Sequence, residues 1–168
     1  MRKVKVAAVQ MRCTRDVNAN IANAEGLVRK AAADGAQIIL LPELFERQYF
    51  CQERQYEYYE FAKPVEENDA VKHFAKVAEE LKVVLPISFY EKDGKRLFNT
   101  VAILDADGTN LGIYRKTHIP DDHYYQEIKR LRGTLWCVTR LTKCLLRLRA
   151  RARSRQPNVI GLASCSAR

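Results

Sequence analysis

The chain has 168 residues, enough for one domain, with 47% hydrophobic residues and a formal net charge of +9. No run approaches the ~18 apolar residues of a membrane-crossing helix, and Met1-Arg2-Lys3 leads into a short strand of mixed polarity rather than a secretory leader. Five cysteines without a CxxC pair or regular spacing argue against a disulfide scaffold or a zinc module, so the cytoplasm is the expected compartment.

In chain order, Val4 to Met11 reads as an inner strand. Asp16 or Asn18 is placed to cap a helix that runs to about Asp34. Within it Ile21, Ala24, Leu27, Val28 and Ala31 recur at helical spacing, and Gly35 follows its end. Ile38 to Leu41 is the second strand. Tyr49 to Phe61, aromatic and charged, reads as a loop with a short helix. A second helix starts near Asp69 and turns Val71, Phe74, Ala75, Ala78 and Leu81 inward. Val83 to Tyr90 and Leu97 to Leu104 are strands joined by the hairpin turn Lys92-Asp93-Gly94-Lys95. Asp107-Gly108 turns the chain again into Leu111 to Tyr114. The order β-α-β-α-β-β-β predicts an α/β fold.

Two strand ends carry the candidate chemistry. Ala36-Gln37-Ile38-Ile39-Leu40-Leu41 is a continuous apolar run, the pattern of a buried parallel strand, and Pro42-Glu43 follows at once. In α/β folds ligands sit at the C-terminal ends of such strands, so Glu43 is a candidate base. Leu111-Gly112-Ile113-Tyr114 runs out into Arg115, Lys116, Thr117 and His118. Lys116 and Glu43 thus offer an acid–base pair on neighbouring strand ends.

The segments L-L-P-E-L-F and Y-R-K-T-H-I-P resemble the first two catalytic motifs of the nitrilase (carbon–nitrogen hydrolase) superfamily. The opening K-V-A-A-V-Q-M resembles its first strand, and F-N-T-V-A-I-L-D-A-D-G, residues 98–108, the hairpin before its lysine. Y-F-C-Q-E and H-Y-Y-Q-E narrow the resemblance to the amidases that act on a carbamoylated diamine. It covers residues 1–127. It implies the first half of an α-β-β-α sandwich, with the C-terminal half missing. It implies a small-molecule amide or ureido substrate, no cofactor, no metal ion, and a homo-oligomer in the intact family member. Enzymes of this family use a Glu, a Lys and a Cys. Carried over by motif, Glu43 is the base, Lys116 the oxyanion partner, and Glu127 the second glutamate that supports the lysine.

The nucleophile does not carry over. The family's cysteine precedes an aromatic residue and an aspartate, whereas here Trp136 precedes Cys137 and no acid follows Glu127. Cys13 and Cys51 match no nucleophile motif. Composition also changes at this point. Residues 1–127 hold 18 Lys+Arg and 20 Asp+Glu, a net of −2, while residues 128–168 hold 11 Lys+Arg and no acid. The basic pI therefore belongs to the tail, and the first 127 residues suggest no nucleic-acid partner. Three readings of residues 128–168 stand: non-native sequence outside the family's reading frame, a basic extension binding polyanions without sequence preference, or a folded terminal element. The first is favoured, because the resemblance stops in mid-motif. An inactive amidase-like chain is thus expected. The alternatives are a non-catalytic fragment with a polyanion-binding tail, or an amidase of another linear amide.

Three further clusters have two readings each. His118, Asp121, Asp122 and His123 suit a divalent ion by donor type, but an entrance loop is favoured, since Pro120 prevents a shared helical face. Tyr49, Phe50, Tyr56, Tyr58, Tyr59 and Phe61 either pack or form a cation–π pocket for an aliphatic ammonium, and packing is favoured. Glu46, Glu53, Glu57 and Glu60 form a solvated face or an amine site, with the solvated face favoured. Without its second half, the inner face of the sheet is expected to lie bare.

Overall fold

The computed structural model describes residues 4–52 and 55–117. Strand β1 (Val6–Ala8) is followed by helix α1 (Val17–Ala33), β2 (Ile38–Leu40), helix α2 (Asp69–Leu81), and β3 (Leu85–Asp93), β4 (Arg96–Leu104) and β5 (Asn110–Arg115). Two short 3-10 helices, Phe50–Gln52 and Tyr56–Phe61, lie between β2 and α2. The predicted element order is therefore present. β1 is shorter than expected: only three residues pair with β2, from Val6 opposite Ile38 to Ala8 opposite Leu40.

Both helices begin where the side-chain chemistry places them. The Asp16 carboxylate accepts from the Ala19 N–H at 3.1 Å, and the Asn68 amide oxygen accepts from the Val71 N–H at 2.9 Å. Each cap satisfies an otherwise orphaned donor and contributes about 1 kcal/mol. α2 begins at Asp69, as the sequence placed it, and Asn68 caps it.

β1 and β2 are parallel, and β3, β4 and β5 form an antiparallel meander. A parallel bridge between Ile38 and Val84 joins the two parts. The β3–β4 hairpin closes in two residues, with Asp93 opposite Arg96. Gly94, the first of them, has φ 59°. That position of a II′ turn requires positive φ, which glycine adopts without steric cost.

One face of the sheet carries both helices. Ile21, Ala24 and Val28 of α1 and Val71, Phe74, Val77 and Ala78 of α2 pack on Ile39, Leu85, Ile87, Phe89, Ala102 and Leu104. Phe74 meets Phe45 edge-on at 5.6 Å. Each such fully buried side chain contributes roughly 1.5–3 kcal/mol. On the opposite face Val6 and Leu40 remain 46% and 51% exposed. The expected bare face is thus only partial, because Val84 and Ile103 are buried there against Ile38, Val101 and Leu111.

Candidate active site

Glu43 lies just past β2, immediately before two buried anchors. Phe45 enters the main core. Leu44 enters a second cluster with Phe50, Cys51, Ala62 and Tyr90. Leu44 has φ 53°, a left-handed conformation rare for a side chain of this kind. Its N–H donates to Ser88 Oγ at 3.1 Å, and its burial holds the kink in place. Strain of this sort persists only where the surroundings over-determine it.

The loop beyond is fastened on three sides. Asn20 Nδ2 donates to the Glu46 carbonyl at 3.0 Å. Asn68 Nδ2 donates to both Glu46 carboxylate oxygens at 3.1 Å. The Gln48 N–H donates to the Thr14 carbonyl at 2.8 Å. Glu46 is therefore not on a solvated face: burial pushes its carboxyl above the ordinary range, with the Asn68 bonds opposing that shift. Glu57 and Glu60 are exposed, and Glu53 lies outside the described residues.

Lys116 leaves the end of β5. Its N–H donates to the Asn99 carbonyl at 2.8 Å. Alternation along the strand sends Arg115 to the opposite face. There its guanidinium stacks over Phe98 at 4.0 Å and donates to Glu91 at 2.8 and 2.5 Å. Glu91 is 1% exposed and also accepts from Thr100 Oγ1 at 2.6 Å. A buried carboxylate is tolerable only when paired in this way.

The side chains of the two strand ends meet. Lys116 Nζ donates to Glu43 Oε1 at 2.9 Å, and Asn99 Nδ2 donates to the same oxygen at 2.6 Å. The predicted Glu43 and Lys116 are thus brought together, whereas Glu127 lies outside the described residues. Sequence reasoning missed Asn99. The available signal was an amide inside the apolar strand Phe98-Asn99-Thr100-Val101, where a buried polar group needs a partner.

Neither described cysteine is presented as an activated thiolate. Burial pushes the Cys13 thiol up, and Cys51 is buried among aromatic rings. The aromatic cluster is packing: Phe50 contacts Tyr58, Phe61 and Tyr90 at ring separations of 5.2–5.9 Å. Tyr56 stands outside it, exposed and stacked on Tyr59. Among the described residues no three His, Cys, Asp or Glu side chains form a metal-binding group, and no helix is long and apolar enough to cross a membrane. Residues 118–123, with their His and Asp side chains, and residues 128–168 lie outside the described residues.

Comparison with known proteins places this geometry in context. The sequence pattern of the family "Carbon-nitrogen hydrolase" matches residues 5–159. An N-carbamoylputrescine amidase of Oryza sativa subsp. japonica is 51% identical over 125 residues, 74% of this chain and 42% of that protein. A citrullinase of Francisella tularensis is 42% identical over 127 residues, 76% of this chain and 44% of that protein. The chain spans less than half the length of these curated relatives. Among solved structures, a carbon-nitrogen hydrolase from Helicobacter pylori G27 superposes with a TM-score of 0.72 at 27% identity, over 79% of this chain and 46% of that one. The architecture is accordingly part of the α-β-β-α sandwich.

Proposed function

This chain belongs to the carbon-nitrogen hydrolase family, and from that premise we propose that residues 1–127 carry the Glu–Lys half of an amidase acting on N-carbamoylputrescine. The observation that carries the reading is the meeting of Glu43 and Lys116 on Asn99 of β4, although β2 and β5 are separated by β3 and β4 rather than neighbouring as the sequence suggested. In this reading Glu43 takes the proton of a cysteine thiol, and the thiolate attacks the ureido carbonyl carbon. Asn99 and Lys116 hold Oε1, which leaves Oε2 to receive that proton. Lys116 stabilises the tetrahedral oxyanion, the kind of preorganised charge that lowers such barriers most. Glu43 then hands the proton to the departing ammonia. Water cleaves the resulting S-carbamoyl intermediate, and the carbamate breaks down to putrescine and carbon dioxide. This is a step from arginine towards polyamines. Glu127 supports the lysine.

The nucleophile is the missing member. No cysteine in the chain stands in the family's motif, and residues 128–168, acid-free although the family pattern runs on to residue 159, are read as departing from the family's sequence after Glu127. The 168-residue chain is therefore inactive by itself. Its match to an amidase at 51% identity favours the carbamoylated diamine. The citrullinase likeness supports citrulline as the second reading, since its ureido group presents the same carbonyl.

A chimera tests this directly. Residues 1–127 replace the matching segment of the rice amidase, and ammonia release is measured with N-carbamoylputrescine and with citrulline. Turnover of the first, lost in Glu43→Gln and in Lys116→Met, is the expected result. Preference for citrulline favours the second reading, and a chimera that folds yet hydrolyses neither overturns both. Ammonia release by the 168-residue chain itself would overturn the missing-nucleophile argument.

A further inference from the structure

We propose that Asn99 is a positioning residue that sets the geometry of the Glu43–Lys116 pair, an inference that rests on reading those two side chains as the catalytic pair. Asn99 is 5% exposed on β4, the strand flanked by β3 and β5. It engages the site with both of its amide groups. Its main-chain carbonyl accepts the Lys116 N–H at 2.8 Å. Its side-chain Nδ2 donates to Glu43 Oε1 at 2.6 Å, the oxygen that also accepts Lys116 Nζ at 2.9 Å. The result is a closed circuit from the Asn99 backbone, through Lys116 and Glu43, back to the Asn99 side chain.

The circuit answers a physical problem. The Glu43 and Lys116 side chains are 46% and 28% exposed. An ion pair this open, between two long side chains, loses conformational entropy on forming and is screened by solvent, so it holds no fixed geometry alone. Lys is a point charge on a flexible four-carbon stem and imposes no direction on a carboxylate. A buried amide on a central strand does impose one. Two donors on one oxygen restrict rotation of the Glu43 carboxylate, and the backbone bond fixes where the Lys116 stem begins. Burial of the Asn99 amide is unfavourable unless its donors are used, and the carboxylate uses one of them.

The test is a spectroscopic one on the 168-residue protein, independent of turnover. With lysine nitrogen-15 and glutamate carboxyl carbon-13 labelling, the hydrogen-bond scalar coupling between Lys116 Nζ and Glu43 Cδ is measured. Hydrogen exchange at the Lys116 amide is followed in parallel. Asn99→Leu fills the volume without a donor, Asn99→Ala removes the side chain, and Glu43→Gln serves as the control. The expected result is a coupling present in the wild type and lost in Glu43→Gln and both Asn99 variants. Protection of the Lys116 amide is retained in the Asn99 variants, because the main-chain bond persists. Three results overturn the proposal: no coupling in the wild type, coupling retained without Asn99, or coupling lost together with Lys116 amide protection or the native spectrum in both variants. The last would make Asn99 a structural strand residue. If the coupling behaves as expected while the chimera hydrolyses nothing, the substrate reading fails and the positioning role stands.

Discussion

Glu43 Oε1 and Lys116 Nζ lie 2.9 Å apart, joining residues separated by 73 positions. The contact closes the gap between the parallel part of the sheet and the end of the antiparallel meander. β2 delivers Glu43 through a kink at Leu44 that Ser88 and the aromatic cluster hold. β5 delivers Lys116 because Arg115 is locked to the other face by Glu91 and Phe98. The two catalytic candidates are therefore aimed by different clusters, and each cluster can be perturbed separately.

Glu43→Gln and Lys116→Met separate chemistry from stability. The pair is open to solvent, so either substitution changes the unfolding free energy of the chain by about 1 kcal/mol or less. In the chimera, removing a positioned base lowers ammonia release by roughly 10²–10⁴-fold. Urea unfolding and steady-state rates measure the two quantities. A large stability loss with little loss of rate would mark the pair as structural.

Arg115 responds in the opposite way. Its partner Glu91 is buried, and truncating the guanidinium leaves that carboxylate without its counter-charge. Breaking a buried pair costs about 3–5 kcal/mol, so Arg115→Ala is expected to be severely destabilised in urea unfolding. Arg115→Lys recovers only part, because an ammonium cannot reproduce the fork that reaches both Glu91 and Asp93. A loss under 1 kcal/mol in Arg115→Ala would overturn the view that Glu91 depends on this pair.

Much of this was legible in the sequence, for reasons of period and punctuation. The apolar run before Pro42 announces a buried strand, the stripe from Ile21 to Val28 announces α1, and Gly94 marks the hairpin. Glu43 and Lys116 each follow a strand, and that placement directed attention to them. Their partners were not legible. Asn99 reaches Glu43 across 56 positions, and Asn68 reaches Glu46 across 22. A side-chain amide shows no period, and its partner is chosen by tertiary approach. For the same reason Glu46 read as one of a solvated acidic set, although the loop folds it against Asn68. β1 was read too long because Val9 and Met11 continue the apolar pattern after pairing stops.

Glu46 and Glu25 predict opposite pH dependences. Burial raises the Glu46 carboxyl in the native state, with Asn68 opposing. Between the ordinary glutamate range and that raised value the native chain holds more proton than the unfolded one, so stability falls as pH rises through this window. Glu25 is lowered, chiefly by its hydrogen bond from Arg29 and further by His73, against some desolvation. Its contribution is present above the ordinary range and is lost as pH falls through the lowered native value. Unfolding free energies from about pH 2 to about pH 7, spanning the ordinary carboxylate range, check both. Relative to Glu46→Gln the wild type loses ground as pH rises above that range; relative to Glu25→Gln it loses ground as pH falls below it. Parallel curves for either pair would refute that assignment.

Two glycines give a final contrast. Gly26 lies inside α1, and a Cβ built there meets nothing within 4 Å. Gly26→Ala is expected to raise stability by about 1 kcal/mol, the propensity difference in a helix interior. Gly108 has φ 80°, and its Cβ would lie 2.9 Å from the Ala75 carbonyl oxygen and 3.2 Å from Glu79 Cβ. The first neighbour is α2 backbone and cannot swing aside, so the turn must move away from the helix. Left-handed strain alone costs about 1–2 kcal/mol, and the clash adds to it. Gly108→Ala should therefore lower the melting temperature while Gly26→Ala raises it, and differential scanning calorimetry reads both signs. Equal melting temperatures for Gly108→Ala and the wild type would mean that the β4–β5 turn does not rest on α2 as described.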